Sequence, residues 1–225
     1  KTKKVRQVTD GSTWYNTGGG FDYEWSPDGK WFTLEFIGNR HDPYSDIGIV
    51  SAQGGTITNL TNSGYISGSP RWVLDGNAIL FQTWGSQQDV MLVFLNQDAY
   101  DRYRLSKEDF ELLKELEKEQ KKAKDGDKKK DVNKSKKDEA DEDKSSEDKA
   151  DKKDIVVEIN GIEDRIVRLT PNSSDLGSAI LSKDGENLYY FSAFEGGYDL
   201  WKMNLREKDT KRLHKLNTGW ASLML

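Results

Sequence analysis

Short apolar runs recur along this chain, and a polar turn precedes three of them. The runs are Trp31 to Ile37, Ala78 to Thr83 and Asn187 to Ser192. The turns are Trp25-Ser26-Pro27-Asp28-Gly29-Lys30, Trp72-Val73-Leu74-Asp75-Gly76-Asn77 and Leu181-Ser182-Lys183-Asp184-Gly185-Glu186. After each run an Asp opens a second apolar stretch: Asp46-Ile47-Gly48-Ile49-Val50, Asp89-Val90-Met91-Leu92-Val93 and Asp199-Leu200-Trp201-Lys202-Met203. Runs of this length bounded by Asp, Asn, Gly and Pro predict strands. Asp-Gly between two runs predicts a hairpin, because Gly accepts positive φ without a Cβ clash. Pro27 fits the turn position that wants a fixed φ.

A fourth strand closes each unit: Thr56 to Thr61, then Arg165 to Thr170, and less cleanly Lys211 to Leu216. Val5-Arg6-Gln7-Val8-Thr9 reads as the same strand of a preceding unit, and Trp220 to Leu225 as the start of a following one, so both ends read as cut. From Trp25 to Trp72 the period is about 47 residues, the length of a propeller blade. Such a unit cannot bury its apolar faces alone, so repetition implies stacking. The expected fold is all-β, a partial β-propeller of about three four-stranded antiparallel blades with fragments of neighbours. A β-sandwich with coincidental Asp-Gly turns is the alternative.

One polar segment interrupts the array. Ser106-Lys107-Glu108-Asp109 reads as a helix start, and Phe110, Leu113 and Leu116 recur at helical spacing over one or two turns. Beyond Leu116, Lys, Asp and Glu dominate with signs interleaved. Residues 118 to 153 therefore offer little to bury and are expected to be a mobile, dispensable loop. Mixed signs argue against a phosphate or membrane patch. Asp125-Gly126-Asp127 lacks the other positions of a calcium loop and reads as polar linker. Strand character resumes at Ile155-Val156-Val157. The expected organisation is blades over 1–105, a charged insertion with a short helix over 106–154, and the remaining blades over 155–225.

Composition narrows the classes. Mean hydropathy is −0.85, pulled down by the insertion, and no apolar run is long enough to span a membrane. The chain has no cysteine, which excludes disulfides and thiolate metal sites and leaves the compartment open. A net charge of −5 argues against nucleic-acid binding. His41 and His214 are the only histidines; both read as exposed, His41 in a turn-rich loop and His214 on a fourth strand. Gly18-Gly19-Gly20 lacks the helix a dinucleotide fingerprint needs. Asp28, Asp75 and Asp184 are turn residues in register, not a catalytic pair. No nucleophile elbow, zinc motif or phosphate loop is present. The expectation is a segment without catalytic, cofactor-binding or metal-binding residues.

The repeat of W-S-P-D-G-K, an apolar strand, D-(I/L) and a closing L-T, as in Leu60-Thr61 and Leu169-Thr170, resembles the repeats of TolB and tricorn-type propellers. Asp98 to Asp109 before the charged tract, with Gly161 to Arg165 and Arg168 to Pro171 after it, is similar to the propeller region of bacterial tricorn-like serine peptidases. That resemblance implies a periplasmic or secreted protein, further blades, a PDZ-like module and a separate catalytic domain. It implies a scaffold that gates access for peptide or unfolded polypeptide. A TolB-like interaction module without peptidase is the other function it implies.

Overall fold

The computed structural model describes residues 4–9, 22–38, 44–85, 88–132, 154–194 and 196–223. The chain divides into two compact units, one of residues 1–100 with 153–225 and one of residues 101–152.

The first unit is built of three four-stranded antiparallel sheets, each a simple meander. Strands β1 (Tyr23–Trp25), β2 (Trp31–Phe36), β3 (Asp46–Ser51) and β4 (Thr58–Asn59) form the first. Strands β5 (Ile66–Val73), β6 (Ala78–Trp84), β7 (Asp89–Phe94) and β8 (Ile166–Arg168) form the second. Strands β9 (Asp175–Leu181), β10 (Asn187–Ala193), β11 (Tyr198–Asn204) and β12 (Thr210–Thr218) form the third. The register repeats. Phe32 faces Val50, Ile79 faces Val93, and Leu188 faces Met203 at the same position of each central pair. A one-residue slip would turn every apolar side chain to the wrong face, so the shared register follows from the shared pattern.

The Asp-Gly turns explain the start of each central pair. Ser26 Oγ donates to Asp28 Oδ1, which also accepts the Lys30 N–H, and the Trp31 N–H donates back to Ser26 Oγ. Ser182, Asp184, Glu186 and Asn187 repeat this bond for bond. Gly29 and Gly185 sit at φ 72° and 74°. The second turn has Val73 where the others have Ser. With no hydroxyl to organise it, the chain takes three successive left-handed residues, Leu74, Asp75 and Gly76, and the Asn77 side chain caps Leu74 O instead.

Both faces of a sheet need cover. The face of β2 and β3 carrying Ile47 and Ile49 meets Ile79, Phe81, Val93 and Leu95 of the second sheet, all at 2 % exposure or less. Each such buried side chain contributes on the order of 1.5–3 kcal/mol. Trp72 locks the junction: its backbone N–H donates to Glu24 Oε2 at 2.6 Å and its indole N–H to Glu24 O at 3.1 Å. The opposite face of the first sheet holds Leu34, Phe36 and Val50, with Val8, Phe32 and Ile57 against them. Between the second and third sheets, Gln88 and Ser174 exchange backbone bonds, and the Ser174 and Ser192 hydroxyls meet at 2.6 Å.

Several expectations change. Val5 to Thr9 form no strand; that segment lies against the turn after β3, where Val8 O accepts the Gly55 N–H. Ile155-Val156-Val157 form no strand either. They run as a strap: Asp154 pairs with Lys30, the Ile155 N–H donates to Asp28 Oδ2, and the Glu158 N–H donates to Leu95 O. Ile155 and Val157 fill the junction between the first two sheets, which satisfies an apolar run as well as a ladder does. A helix, α1 (Gln97–Arg104), lies at the end of the stretch over 1–105 read from sequence as blades, capped by Asn96 Oδ1 accepting the Ala99 N–H. The third sheet closes on a longer fourth strand than its worn sequence suggests.

In the second unit, α2 (Lys107–Val132) is longer than one or two turns and takes in Asp125-Gly126-Asp127, read from sequence as linker. Its start is as expected. Ser106 Oγ accepts the Asp109 N–H and donates to Asp109 Oδ2, a reciprocal cap. Arg102 pairs through two nitrogens with Glu117 and lies over the Phe110 ring, with Lys114 above the same ring at 4.5 Å. Glu117 raises the Arg102 pKa, against the opposing effect of burial.

Candidate functional site

The Asp that opens the third strand of each sheet is tied into the end of the fourth strand by side-chain hydrogen bonds. Thr61 Oγ donates to Asp46 Oδ1 at 2.6 Å, and Asn59 Nδ2 to Asp46 Oδ2 at 2.7 Å. Thr61 Oγ also accepts the Ile47 N–H. In the second sheet Thr170 Oγ donates to Asp89 Oδ1 and accepts the Val90 N–H, while Ser173 Oγ donates to Asp89 Oδ2. The closing L-T thus meets the opening Asp across the sheet. In the third sheet no Thr stands there, and the backbone N–H groups of Leu216 and Asn217 donate to Asp199 Oδ1. The Asn217 N–H holds the Asp199 carboxyl below its ordinary value, helped by Leu216 and Arg212 and opposed by burial.

Two clefts open beside these locks. The larger, about 480 Å³, is lined by Thr61, Ser63 and Tyr65 from the first sheet side and by Phe81, Met91, Ile166 and Arg168 from the second, with Asp89 and Ser173 at its edge. The other, about 470 Å³, lies against Phe36, Tyr44, Asp46 and Asn59, and shares Ser63 with the first. Hydroxyls, amides and apolar side chains line both. The carboxylates of Asp46 and Asp89 accept bonds from Thr, Asn and Ser donors, and among the described residues no imidazole borders either cleft.

The residues singled out from sequence do not converge. Asp28 and Asp184 organise their turns; Asp75 sits in the left-handed turn. Burial alone would raise the Asp28 pKa, but bonds from Ser26, Ile155 and Lys30 together with the Lys30 charge lower it. His214 is exposed on β12, as expected. His41 and Gly18-Gly19-Gly20 lie outside the described residues. Among the described residues no group of three or more His, Asp and Glu side chains is placed to hold a metal ion, and no described helix is long and apolar enough to cross a membrane. Burial pushes the Tyr190 phenol up to about 12, and its hydroxyl has no hydrogen-bond partner among the described residues; nor does Nε1 of Trp201, its neighbour across the β10–β11 pair. The clefts were not legible in the sequence, because each gathers residues from separate stretches of chain.

No protein-family model matches the sequence, and no curated protein matches it. Solved structures do. The tricorn protease aligns over 85% of this chain and 18% of its own, with a TM-score of 0.52 and 11% identity. A structure assigned to TolB from Agrobacterium tumefaciens aligns over 88% of this chain and 48% of its own, at TM-score 0.49 and 14% identity. TolB from Acinetobacter baumannii aligns over 86% and 30%, at TM-score 0.40 and 12% identity. The chain therefore spans less than half the length of each. The three meanders are a partial β-propeller, the fold shared with the tricorn protease.

Proposed function

We propose that this chain is a non-catalytic propeller segment of a tricorn-like serine peptidase, acting as scaffold and as a gate that admits peptides to the enzyme. The observation that carries the reading is the fold likeness to the tricorn protease over 85% of this chain. The clefts beside Asp46 and Asp89 support it: hydroxyls, amides and apolar side chains line them, and these two carboxylates accept bonds from Thr, Asn and Ser. Selection then follows from geometry. An unfolded strand passes between or through blades, and a folded domain does not. In this reading the partners are further blades, a PDZ-like module and a catalytic domain of the same polypeptide, in a periplasmic or secreted protein. Residues 1–105 and 155–225 supply blades, and 106–154 an insertion without a part in catalysis.

The test compares the complete reading frame with residues 1–225 alone, using fluorogenic peptides, unfolded casein and a folded substrate of casein's size. The complete protein should cleave the first two and spare the third, and the isolated segment should cleave none. Turnover by the isolated segment that survives repurification and disappears on mutating one of its serines or His214 would overturn the non-catalytic assignment. A complete protein without hydrolysis that captures a folded partner would replace the peptidase reading with an interaction module.

A further inference from the structure

We infer that β12 is a docking edge for an extended acidic segment of a partner protein, which joins the third sheet as a fifth strand. The inference is independent of the peptidase reading. β12 is the outermost strand of its sheet, paired only with β11. One row of its backbone N–H and C=O groups therefore faces away from the sheet. The strands that close the other two sheets, β4 and β8, are two and three residues long, whereas β12 has nine; the opposite edges β5 and β9 have eight and seven, and β5 is met by Glu24 of the first sheet through Trp72. Short edges offer almost no template for strand addition. The nine residues of β12 span about 30 Å; the ladder to β11 is regular from Thr210 to Arg212 and bulged beyond it, where Asp199 Oδ1 accepts the Leu216 and Asn217 N–H groups. Every residue from Lys211 to Asn217 is exposed.

The side chains specify the partner. Lys211, Arg212, His214 and Lys215 fall within five consecutive positions of a chain whose net charge is −5. Asp209 pairs with Lys211, and Asp199 with Arg212. Lys215 forms no ion pair with a described residue, so the strip keeps cationic surface to offer. Leu213 and Leu216, at 42 % and 50 % exposure, put apolar surface between the charges. A strand alternating carboxylates with apolar residues complements that surface, since opposite charges across a strand pair stabilise and like charges destabilise it. The same rule excludes β12 of a second copy, which would set lysine and arginine against lysine and arginine.

The probe is a fluorescein-labelled ten-residue peptide alternating Glu and Val, tested on the intact chain by fluorescence anisotropy beside its Lys-for-Glu counterpart and a single-stranded oligonucleotide of equal charge. The acidic peptide should bind, weaken at 0.5 M salt, and lose at least tenfold in affinity with Lys215→Glu; the basic peptide should not bind. Hydrogen exchange on the unaltered chain gives a second readout that depends on no variant: bound peptide should slow amide exchange within 210–217 and nowhere else. Oligonucleotide binding as tight as the peptide's, or slowed exchange centred on another strand, would overturn the inference. So would the absence of binding, which would assign the lysines to keeping this edge unpaired.

Discussion

At the scale of residues, a serine and an aspartate two positions apart build the same turn twice, and the glycine after the aspartate completes it at positive φ. The two glycines differ in what surrounds them. A Cβ at Gly29 would meet nothing within 4 Å, whereas one at Gly185 would lie 2.3 Å from Leu74 Cδ2. Gly29→Val should therefore cost of order 1 kcal/mol from backbone conformation alone. Gly185→Val should cost more, because it also displaces Leu74. Lys30→Ala should change stability by less than about 0.5 kcal/mol, since its ion pair with Asp154 is solvent-exposed. Urea unfolding midpoints check the order, and equal midpoints for Gly29→Val and Lys30→Ala would remove the hairpin argument. Asp199 gives a pH dependence of known sign. Its folded pKa lies below the unfolded one, so its contribution is complete above the unfolded value and is lost as pH falls through the folded value. Asp199→Asn should lower Tm at pH 7 and flatten the acid limb below about pH 4; parallel Tm profiles for the two proteins would contradict this.

At the scale of elements, the central strands of all three sheets were legible because Asp-Gly on one side and Asp on the other bound each apolar run. The fourth strands of the first two sheets were located by an apolar-Thr pair but are shorter than expected, Thr58–Asn59 and Ile166–Arg168; the pair lies just past each, where Thr61 and Thr170 reach the Asp that opens the third strand. Apolar runs outside that frame misled. Ile155 to Val157 have strand composition, yet packing into the blade junction claims them. The cap that starts α1 was in plain sight as Asn96 before Gln97-Asp98, but its signal is one residue deep. The helix that starts at Ser106 was recognised by its cap and underestimated in length, because charge-rich sequence carries no apolar stripe to count. The insertion still yields a prediction. Residues that anchor it, Phe110 and Glu117, precede the charged tract, and the strap that follows begins at Asp154. Replacing 118–153 with a short Gly/Ser linker should leave Tm within about 4 °C, the shift expected for roughly 1 kcal/mol in a domain of this size. A larger fall in a thermal melt would show that the tract packs.

At the scale of the molecule, the second sheet is the keystone: it packs on the first through the Ile47–Phe81 core and on the third through Gln88 and Ser174. Among the sheets of the described residues it alone has strands that are far apart in sequence. β3 ends at Ser51 and β4 begins at Thr58, whereas β7 ends at Phe94 and β8 begins at Ile166. Closing the longer loop costs about 2 kcal/mol more chain entropy than closing the shorter, by its logarithmic dependence on length. A ribosome reading from the amino end completes the first sheet early. It then leaves β7 as a bare edge for the several seconds that some seventy residues take at about 5–20 residues per second. The middle of the array is thus finished late, and its fourth strand is expected to form after the folding barrier is crossed. Ile166→Val should speed unfolding and leave refolding almost unchanged in stopped-flow experiments, while Ile79→Val, in a local hairpin, should slow refolding. For as long as β8 is unmade, the interleaved charges of the insertion travel tethered to that open edge. Charge of mixed sign beside an open edge disfavours edge-to-edge pairing, so the tract is expected to keep the chain soluble during the interval in which it is most exposed to aggregation.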